Sequence, residues 1–319
     1  MNPLARPVAL VLGVNGQDGS LAAQSLLLRG YEVHGVGRQA QPVWITPNEN
    51  FKYIPLDLRS RSLIGPLVEK ICPDLILHLA AVHGAAGFDD QALAEDIFAV
   101  NLLSLQATLE AMVKQAPESR IVYAGSSHVF GLPPPAHIDL QTPRLPHNIY
   151  AVSKLAAAEL VALYRRRFGL AASVLHFFNH ESERRPDSYF IPRLLAGLRK
   201  SLSDPAYVFK LSSLDFQCDW GCAREYMEIA IDTAQTCPGK DFIVATGTSV
   251  SGRDLAQKLF AAHGLDYRKH IEVTASNQAD LPFKASTEPL LLNLGRVPRR
   301  TIFDVCADML KAGNREKAA

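Results

Sequence analysis

Tyr150 and Lys154 stand four residues apart at the start of a predicted helix, so both side chains project from one face of it. A tyrosine has an ordinary pKa of about 10 and is a poor base near neutrality, but an adjacent ammonium stabilises its phenolate and lowers that pKa. Ser126 and Ser127 end a predicted strand shortly upstream, where a hydroxyl can bind a substrate hydroxyl. Serine, tyrosine and lysine in these roles support hydride transfer at a secondary alcohol or ketone.

A glycine-rich turn from Gly13 to Gly19 follows the first predicted strand directly and opens the first predicted helix. A Gly-x-x-Gly-x-x-Gly turn here lets the backbone approach a pyrophosphate, while the helix N-terminus offers unpaired N–H groups and a partial positive charge. The flanking strand and helix favour dinucleotide binding, and a tight turn without a ligand is the alternative. The residues predicted to contact the cofactor here are Gly13, Asn15, Gly16, Gln17, Asp18 and Gly19.

The end of the second predicted strand distinguishes the two common dinucleotides. An acidic residue there binds the ribose 2′-hydroxyl of NAD, whereas an arginine favours the 2′-phosphate of NADP. This chain has Arg38 after Gly35-Val36-Gly37, which predicts NADP, with NAD less favoured, unless Arg38 is only a solvated surface cation. Further cofactor contacts are predicted at the ends of the next two strands and on the catalytic helix, at Asp57, Leu58, Leu79, Ala80, Ala81, Tyr150 and Lys154.

Short apolar runs alternate with helix-like stretches through the first half of the chain. The runs predicted as strands are 8–12, 31–36, 75–79, 121–124 and 171–178, and the predicted helices are 21–28, 92–112 and 149–167. This order predicts an α/β fold, a Rossmann-type doubly wound parallel sheet covered on both faces. The rhythm loosens after Asn179, which indicates a smaller C-terminal substrate-binding lobe. We predict a dinucleotide-binding domain over 1–178, with parts of the later chain returning to it, and mainly a substrate lobe over 179–319.

The composition is that of an ordinary globular protein, with 319 residues, 33 Lys and Arg against 32 Asp and Glu, and 48% hydrophobic residues. A balanced charge without a polybasic run argues against nucleic acid or a membrane surface as a partner. No apolar stretch is expected to approach the ~20 residues that span a bilayer, and no signal peptide is recognised, so a cytoplasmic location is predicted. Five scattered cysteines predict reduced thiols, and the spacing of Cys218 and Cys222 is too weak a signal to predict a metal.

Four segments resemble the extended short-chain dehydrogenase/reductase family of NAD-dependent epimerases and dehydratases, and within it the GDP-mannose 4,6-dehydratase branch. The Gln-Asp-Gly-Ser and Asn-His-Glu-Ser stretches are specific to that branch. The resemblance implies a Rossmann domain with a nucleotide-sugar lobe, NADP retained between half-reactions, a nucleotide-sugar substrate that is GDP-linked, and a homodimer or homotetramer. The segments span most of the chain in the family's order, at residues 13–20, 150–155, 178–185 and 219–226.

The resemblance breaks at one catalytic position. The branch has Thr-Ser-Glu-Leu-Tyr-Gly after the serine-ended strand, and its glutamate handles the proton at carbon 5 and the departing hydroxyl at carbon 6. This chain has Ser126-Ser127-His128-Val129-Phe130-Gly131, so His128 takes the place of that glutamate. Imidazole titrates near pH 6.5 and can take one proton and give another, so we hypothesise that His128 is the replacement acid/base. The alternative is that elimination is lost and only redox or epimerisation at a keto-sugar remains.

The branch also clamps the nucleotide diphosphate with two arginines, and both are replaced in this chain. Cys218 stands before Asp-Trp-Gly, and by approximate alignment Asn277 stands at the second position. Asn179 lies where the family contacts the sugar, although loop asparagines are commonly turn formers. Substrate binding is therefore assigned to two polar residues and four remaining cations, each of which is otherwise a surface charge: Ser127, Asn179, Arg184, Arg185, Arg193 and Arg224.

The sequence thus favours an NADP-dependent enzyme that oxidises a nucleotide-linked sugar at carbon 4 and eliminates water across carbons 5 and 6. A 4-keto-sugar reductase or epimerase needs only Ser126, Tyr150 and Lys154, and net consumption of NADPH would single out the reductase. A non-catalytic dinucleotide-binding protein is the second alternative, although a binding module has no need of a tuned phenol. His83 and His180 lie near the predicted cleft and are assigned no chemistry, since lone histidines are more commonly structural.

Overall fold

Seven parallel strands form the central sheet of the computed structural model, which describes residues 6–84, 88–275 and 280–316. Numbered along the chain with the shorter strands given below, they are β1 (Val8–Leu12), β2 (Glu32–Gly37), β3 (Phe51–Pro55), β4 (Leu75–His78), β5 (Arg120–Ser126), β7 (Ala171–Phe177) and β12 (Phe242–Val244). Their order across the sheet is β12-β7-β5-β4-β1-β2-β3. The strand order reverses between β1 and β4, where a crevice opens at the carboxyl ends of the strands. The predicted Rossmann-type sheet is confirmed.

Helices cover both faces of this sheet. They are α1 (Gln17–Leu28), α2 (Ile64–Ile71), α3 (Ala94–Phe98), α4 (Ser104–Gln115), α5 (Ile149–Phe168), α7 (Ala223–Thr236) and α9 (Glu288–Leu294). Successive residues of a strand point to opposite faces, so Ala9 and Val11 of β1 join the core formed with α1 and α7. Leu10 and Leu12 join the core formed with α2, α4 and α5. Full burial of each leucine contributes about 1.5–3 kcal/mol, which favours a place for β1 inside the sheet, between β4 and β2.

The helix predicted over 92–112 is interrupted. A π-helical turn, Ala99–Leu103, joins α3 to α4. The run from 94 to 115 has the length and apolar composition of a membrane-spanning helix, so the expectation that no stretch approaches that length is wrong. Leu105, Leu109 and Met112 are nevertheless fully buried in the helical layer beside the sheet, as in the core helix of a folded domain.

A smaller lobe is built mainly from the chain beyond Phe178. Its strands pair two by two, β8 (Asn179–Glu181) with β11 (Trp220–Cys222), β9 (Phe209–Leu211) with β14 (Ile271–Val273), β10 (Gln217–Cys218) with β13 (Val250–Ser251), and β6 (His137–Ile138) with β15 (Lys284–Ala285). Its core lies between α6 (Phe190–Ser203), α8 (Gly252–Ala261) and α10 (Ile302–Glu316). The later chain also supplies α7, β12 and α9 to the Rossmann layer. The five cysteines are free, as the sequence predicted.

Candidate active site

The turn between β1 and α1 brings its backbone against the segment after β4 more closely than a side chain would allow. Gly13 has φ +94°, and a Cβ there would lie 2.7 Å from the Ala80 backbone. A Cβ at Gly19 would lie 2.2 Å from the Gly13 carbonyl oxygen, whereas one at Gly16 would meet nothing closer than 3.4 Å. Gly16 is also the N-cap of α1 and supplies no side-chain cap. The first-turn N–H groups of α1 are thus left for a ligand, which fits the pyrophosphate of a dinucleotide.

The Gly16→Ala variant is expected to fold normally and to lose dinucleotide affinity by about tenfold or more. Its new methyl group occupies the open side of the turn and disturbs at least one charge-assisted hydrogen bond. Gly13→Ala is the contrasting variant, because its positive φ and backbone clash predict a loss of about 2–4 kcal/mol in unfolding free energy. Thermal denaturation and calorimetric titration with the dinucleotide separate the two effects. Equal destabilisation by both changes would show that the turn serves packing alone.

Asn15 fixes the loop after β2, in place of the predicted direct contact between its side chain and the cofactor. Its Nδ2 donates to the Tyr53 hydroxyl and to the Gln41 carbonyl oxygen, each at 3.1 Å. Its Oδ1 accepts from the Val43 backbone N–H at 3.0 Å. These bonds hold the loop beside the glycine turn, so the Asn15 amide supports the cradle from outside.

Gln17 and Asp18, both predicted to contact the cofactor, direct their side chains to the substrate lobe. Gln17 Nε2 donates to the His180 carbonyl oxygen at 3.2 Å, and its Oε1 accepts from the Ser182 hydroxyl at 2.9 Å. His180 Nε2 lies 3.0 Å from both carboxylate oxygens of Asp18. Burial disfavours the ionised carboxylate, yet the charge and hydrogen bond of His180 outweigh it and hold the pKa of Asp18 at about 2. These side chains therefore bridge α1 and β8, and only their backbone N–H groups remain for a phosphate.

The Asp18→Asn variant is expected to lose about 2–3 kcal/mol of unfolding free energy near pH 6, since the carboxylate pKa falls from 3.8 to about 2 on folding. Despite burial, Asp18 raises the pKa of His180 above its ordinary 6.5. The contribution of the carboxylate to the free energy of unfolding is present above pH 3.8 and is lost as the pH falls through about 2. The contribution of His180 is present below pH 6.5 and is lost as the pH rises through its pKa in the folded protein.

Denaturant titrations from pH 2 to 9 measure this dependence. The exposed Asp187 gives the matched control, and Asp187→Asn is expected to leave the curve unchanged. A wild-type profile that Asp18→Asn does not flatten would contradict the pairing.

The adenosine end of the predicted cofactor site has an exposed arginine, Arg38, and a carboxylate, Asp57, that is paired with another arginine. Arg38 is exposed directly after β2. The Asp57 carboxylate is bound by Arg59, whose hydrogen bonds are the main cause of its lowered pKa, with a smaller contribution from the Arg38 charge. Leu58 is 6% exposed and packs in the core beside α2, which leaves only its backbone for the adenine contact predicted for it.

The segment after β4 lines the crevice with small side chains. The Leu79 backbone N–H donates to the Leu12 carbonyl oxygen at 3.0 Å, which continues the pairing with β1. Its side chain is buried, whereas Ala80 touches the glycine turn and Ala81 is half-buried. Alanines at these positions keep the crevice open where the dinucleotide was predicted to lie.

Ser126, Tyr150 and Lys154 meet at the carboxyl end of β5. Asn148 caps α5 by accepting a hydrogen bond from a first-turn N–H at 2.8 Å, and the helix it starts carries Tyr150 and Lys154 one turn apart. Lys154 Nζ donates to the Ala124 carbonyl oxygen at 2.8 Å and lies 5.8 Å from the centre of the Tyr150 ring. Ser126 lies close enough to the Tyr150 phenol to favour its ionised form. The structure thus brings the predicted Ser, Tyr and Lys set together.

Burial dominates the ionisation of the tyrosine and the lysine. It raises the pKa of Tyr150 to about 12, although Ser126 favours the phenolate. Lys154 is 2% exposed, and burial lowers its pKa to about 7. The prediction of a lowered tyrosine pKa is therefore wrong for the protein alone, because desolvation raises the pKa more than Ser126 and the Arg185 charge lower it. Near neutral pH, Tyr150 is a phenol and Lys154 is close to half protonated.

His128 lies in a short 3₁₀ helix, Ser127–Phe130, that follows β5. Its ring centre is 5.7 Å from that of Tyr150, edge to face, and 5.4 Å from that of His147. Its Nδ1 is buried and has no hydrogen-bond partner in the described part of the chain. Burial, with a smaller contribution from His147, lowers its pKa to about 4. The site therefore presents a neutral imidazole, a proton acceptor at pH 7, beside the phenol.

A further group of polar side chains lies around Tyr150. The sequence analysis named His83 and Arg185 separately, but it missed Glu181 and Tyr189, which join them. The ring centre of His83 lies 5.7 Å from that of Tyr150, and its Nδ1 is 2.9 Å from the Tyr189 hydroxyl. The Arg185 guanidinium stacks 3.7 Å from the centre of the Tyr189 ring, and its Nε is 3.5 Å from the Glu181 carboxylate. Glu181 is 2% exposed, and burial raises its pKa to about 7 in spite of Arg185. Two chain segments form this group, so no local spacing reveals it.

Asn101, in the π-helical turn, was missed as well. Its Nδ2 donates to the Val82 carbonyl oxygen at 3.2 Å and to the Ser153 hydroxyl at 3.1 Å. Its own carbonyl oxygen accepts from the Tyr123 hydroxyl at 2.8 Å. Asn101 thus ties the segment after β4 to the catalytic helix. A lone asparagine in an apolar helical run was the available signal, since a buried amide needs partners.

Comparison with known protein families matches residues 10–295 to the family model described as GDP-mannose 4,6 dehydratase. The chain belongs to this family. A GDP-mannose 4,6-dehydratase of Yersinia enterocolitica is 30% identical, over 97% of this chain and 94% of the relative. GDP-mannose 4,6 dehydratase 1 of Arabidopsis thaliana is 32% identical, over 84% of this chain and 78% of the relative. The resemblance read from the sequence is confirmed.

Solved structures share the fold at lower identity. A dTDP-glucose 4,6-dehydratase from Bacillus anthracis, in complex with NAD, is 14% identical with a TM-score of 0.84, over 98% of both chains. A putative epimerase from Burkholderia cenocepacia is 23% identical with a TM-score of 0.83, over 97% of this chain and 99% of the other. In both matches the shared fold, a Rossmann domain with its smaller lobe, covers nearly the whole chain.

Cys218 stands where the GDP-mannose 4,6-dehydratase family places its first diphosphate-binding arginine. Cys218 ends β10, and its Sγ lies 3.7 Å from the Asp219 carbonyl oxygen. Burial raises the pKa of the thiol above its ordinary value. A neutral thiol cannot replace a guanidinium as an anion ligand. Asn277, aligned with the second arginine, lies outside the described residues.

The two neighbouring arginines of the family motif point in different directions. Arg185 belongs to the group around Tyr150, as described above. Arg184 donates to Gln24 Oε1 at 2.7 Å and lies 5.0 Å from the centre of a Trp44 ring, beside the glycine turn. Arg184 is therefore nearer to the predicted cofactor cradle than to the catalytic group.

The other predicted substrate cations lie at the surface of the lobe. Arg193 is exposed on α6 and donates to the Lys210 carbonyl oxygen at 2.9 Å. Arg224 is exposed at the start of α7 and forms an ion pair with Glu183. The two polar candidates lie nearer the catalytic group, Ser127 at the start of the 3₁₀ helix and Asn179 at the start of β8, and both are half-buried.

Proposed function

We propose that this protein is an NADP-dependent 4,6-dehydratase of a GDP-linked hexose. The observation that carries the proposal is the meeting of Ser126, Tyr150, Lys154 and His128 at the carboxyl end of β5, beside the open glycine turn. The dehydratase activity named for the relatives supports the reaction, and the GDP-mannose in their names supports the substrate class.

The oxidation half begins at the carbon 4 hydroxyl of the sugar. Ser126 binds this oxygen. Tyr150 first gives up its own proton to water, and the phenolate, stabilised by the Lys154 ammonium, then accepts the proton of the carbon 4 hydroxyl. Lys154 would also hold the cofactor ribose. When bound, a nicotinamide dinucleotide supplies the acceptor for hydride from carbon 4 and its later donor to carbon 6. The ketone that results at carbon 4 acidifies the proton at carbon 5.

The elimination half falls to His128. The neutral imidazole accepts the carbon 5 proton and delivers a proton to the carbon 6 hydroxyl, which leaves as water. Hydride then arrives at carbon 6 and a proton at carbon 5. The cofactor ends each turnover in its starting redox state, so no external reductant is consumed.

Mass spectrometry of the product tests the proposal. Purified protein is incubated with NADP and GDP-mannose, and the expected product is lighter than the substrate by one water, without net formation of NADPH. The Tyr150→Phe variant is the inactive reference in the same assay. An unchanged substrate mass, with NADP binding shown in the same sample, would overturn the dehydratase assignment.

A 4-keto-sugar reductase or epimerase is the second candidate. One observation favours it: the family glutamate is replaced by His128, while the groups needed for carbon 4 redox chemistry are together. Stoichiometric consumption of NADPH with a 4-keto nucleotide sugar would establish the reductase. Binding of NADP without turnover of any nucleotide sugar would instead favour the non-catalytic alternative.

The exposed Arg38 supports NADP over NAD. We expect Arg38→Ala to weaken NADP binding by about 10–100-fold and to leave NAD binding unchanged, because a hydrogen-bonded charge pair contributes about 1.5–3 kcal/mol. Calorimetric titration with both dinucleotides measures this, and Arg61→Ala, on the 3₁₀ turn before α2, is the control. An equal loss for both dinucleotides would show that Arg38 does not contact the 2′-phosphate.

A homodimer through the outer faces of α4 and α5 completes the proposal. Val152 and Leu163 of α5 are 42% and 44% exposed. The helical run from 94 to 115 is apolar, and only part of it is buried against the core. A second copy of the chain, which offers the same faces, would cover them. Light scattering after size exclusion should give a dimer, and Leu163→Glu should give a monomer.

A cytoplasmic location stays a prediction from the sequence.

A further inference from the structure

Two histidines lie side by side between the catalytic tyrosine and solvent. The His128 ring contacts Tyr150 on one side, at 5.7 Å between ring centres, and His147 on the other, at 5.4 Å. His128 is partly buried, and its Nδ1 has no hydrogen-bond partner among the residues that the structure describes, whereas His147 is exposed just before α5. The exposure of the three rings therefore increases from the phenol to the second histidine.

The proton balance of the proposed reaction shows what His128 lacks. Protons leave the carbon 4 hydroxyl and carbon 5, while the departing carbon 6 hydroxyl and, later, carbon 5 each gain one. Tyr150 takes the first proton, and His128 takes the second and gives it to the departing hydroxyl. The hydride electron pair leaves carbon 4 and arrives at carbon 6, so electrons balance within the substrate. His128 is then deprotonated when carbon 5 must receive its proton, so that proton comes from water. Tyr150 releases the carbon 4 proton to water before the next turnover, which keeps the overall proton count unchanged.

We propose that His147 connects His128 to bulk water and supplies this proton once in each turnover. The inference rests on the proposed dehydratase function. Water protonates the exposed His147, a proton passes from its ring to His128 directly or through one bridging water, and His128 delivers it to carbon 5. His147 acts through His128 and is not itself a catalytic residue.

Aromatic and charged groups around the two histidines affect which ring holds a proton. Tyr150 faces His128 from α5, with the Lys154 ammonium behind it. Arg144 stacks over Phe130 in the same 3₁₀ turn as His128, 4.3 Å from the ring centre. Asp90, which accepts from the Ile149 backbone N–H at 2.7 Å, opposes the burial that lowers the pKa of His147. Burial thus disfavours a positive charge on both histidines, and Asp90 opposes this effect at the outer one.

Histidine titration by nuclear magnetic resonance tests the coupling without a substrate. If the rings are coupled, protonated His147 disfavours a second charge on His128, so His147→Gln is expected to raise the pKa of His128. His263→Gln, which changes an exposed histidine near the end of α8, is the control and leaves the titration of His128 unchanged. An unaltered His128 titration in His147→Gln would overturn the proposal, whatever the enzyme's substrate proves to be.

Turnover provides the second readout. His147→Gln is expected to lower kcat about tenfold with KM unchanged, and millimolar imidazole in the buffer is expected to restore it, since a free imidazole can carry the same proton. The product formed in D2O by the wild type carries one deuterium at carbon 5. Full activity of His147→Gln, or a loss that imidazole does not restore, would overturn the relay. If the wild type releases no water from GDP-mannose, the dehydratase proposal fails and the titration alone decides whether the histidines are coupled.

Discussion

The Tyr150→Phe variant is expected to lose about 10²–10⁴-fold in kcat while it keeps the fold and its affinity for NADP. The phenol lies beside Ser126, and the variant lacks the oxygen that accepts the carbon 4 hydroxyl proton. Lys154 and the glycine turn remain in place, so the cofactor still binds. Rapid-quench analysis of the nucleotide sugar together with NADP titration measures both quantities.

Tyr164 offers a matched control on the same helix. It packs against Phe168, with 5.2 Å between ring centres, near the far end of α5. Tyr164→Phe removes the same hydroxyl without touching the catalytic group, and its kcat is expected to match the wild type. A Tyr150→Phe variant that turns over within a few-fold of the wild type would show that the proton leaves by another route, with His83 as the nearest candidate.

The fold follows from patterns that are local in the sequence. The run that became β1 is apolar at every position because parallel strands are buried on both faces, and Gly13 and Gly19 after it are required by close backbone approaches. The Tyr150 and Lys154 pair is fixed by one helical turn. These features depend on neighbours within a few residues, so sequence reasoning reaches them.

The parts that sequence reasoning missed depend on contacts between distant segments. Asp18 was assigned to the cofactor because of its motif, but its partner is His180, 162 residues away. The sign of the Tyr150 pKa shift was wrong because it depends on how much of the protein surrounds the phenol. Glu181 became visible as a buried acid only once Arg185 and Tyr189 were placed around it. Spacing along the chain contains none of this information.

The His128→Gln variant is expected to stop water elimination, with a loss of about 10²–10³-fold, while oxidation at carbon 4 continues. Ser126, Tyr150 and Lys154 are untouched, so the enzyme advances to the ketone and halts there. Reduced nicotinamide should therefore accumulate to about one equivalent per active site, a signal absent from the wild type at steady state. Absorbance of the reduced cofactor and product mass together report the two half-reactions separately.

The pH dependence identifies the group that takes the carbon 5 proton. The pKa of His128 is lowered to about 4, so the wild type should retain elimination down to about pH 4 and lose it as the pH falls through that value. A carboxyl in the same surroundings is shifted the other way, as buried Glu181 shows with its pKa of about 7. His128→Glu, which restores the family residue, should therefore recover elimination. In its pH–rate profile, the fall in rate at acid pH should begin at a higher pH than in the wild type. If that fall stays at the wild-type pH in His128→Glu, or if His128→Gln still eliminates water, the proton goes to a different group.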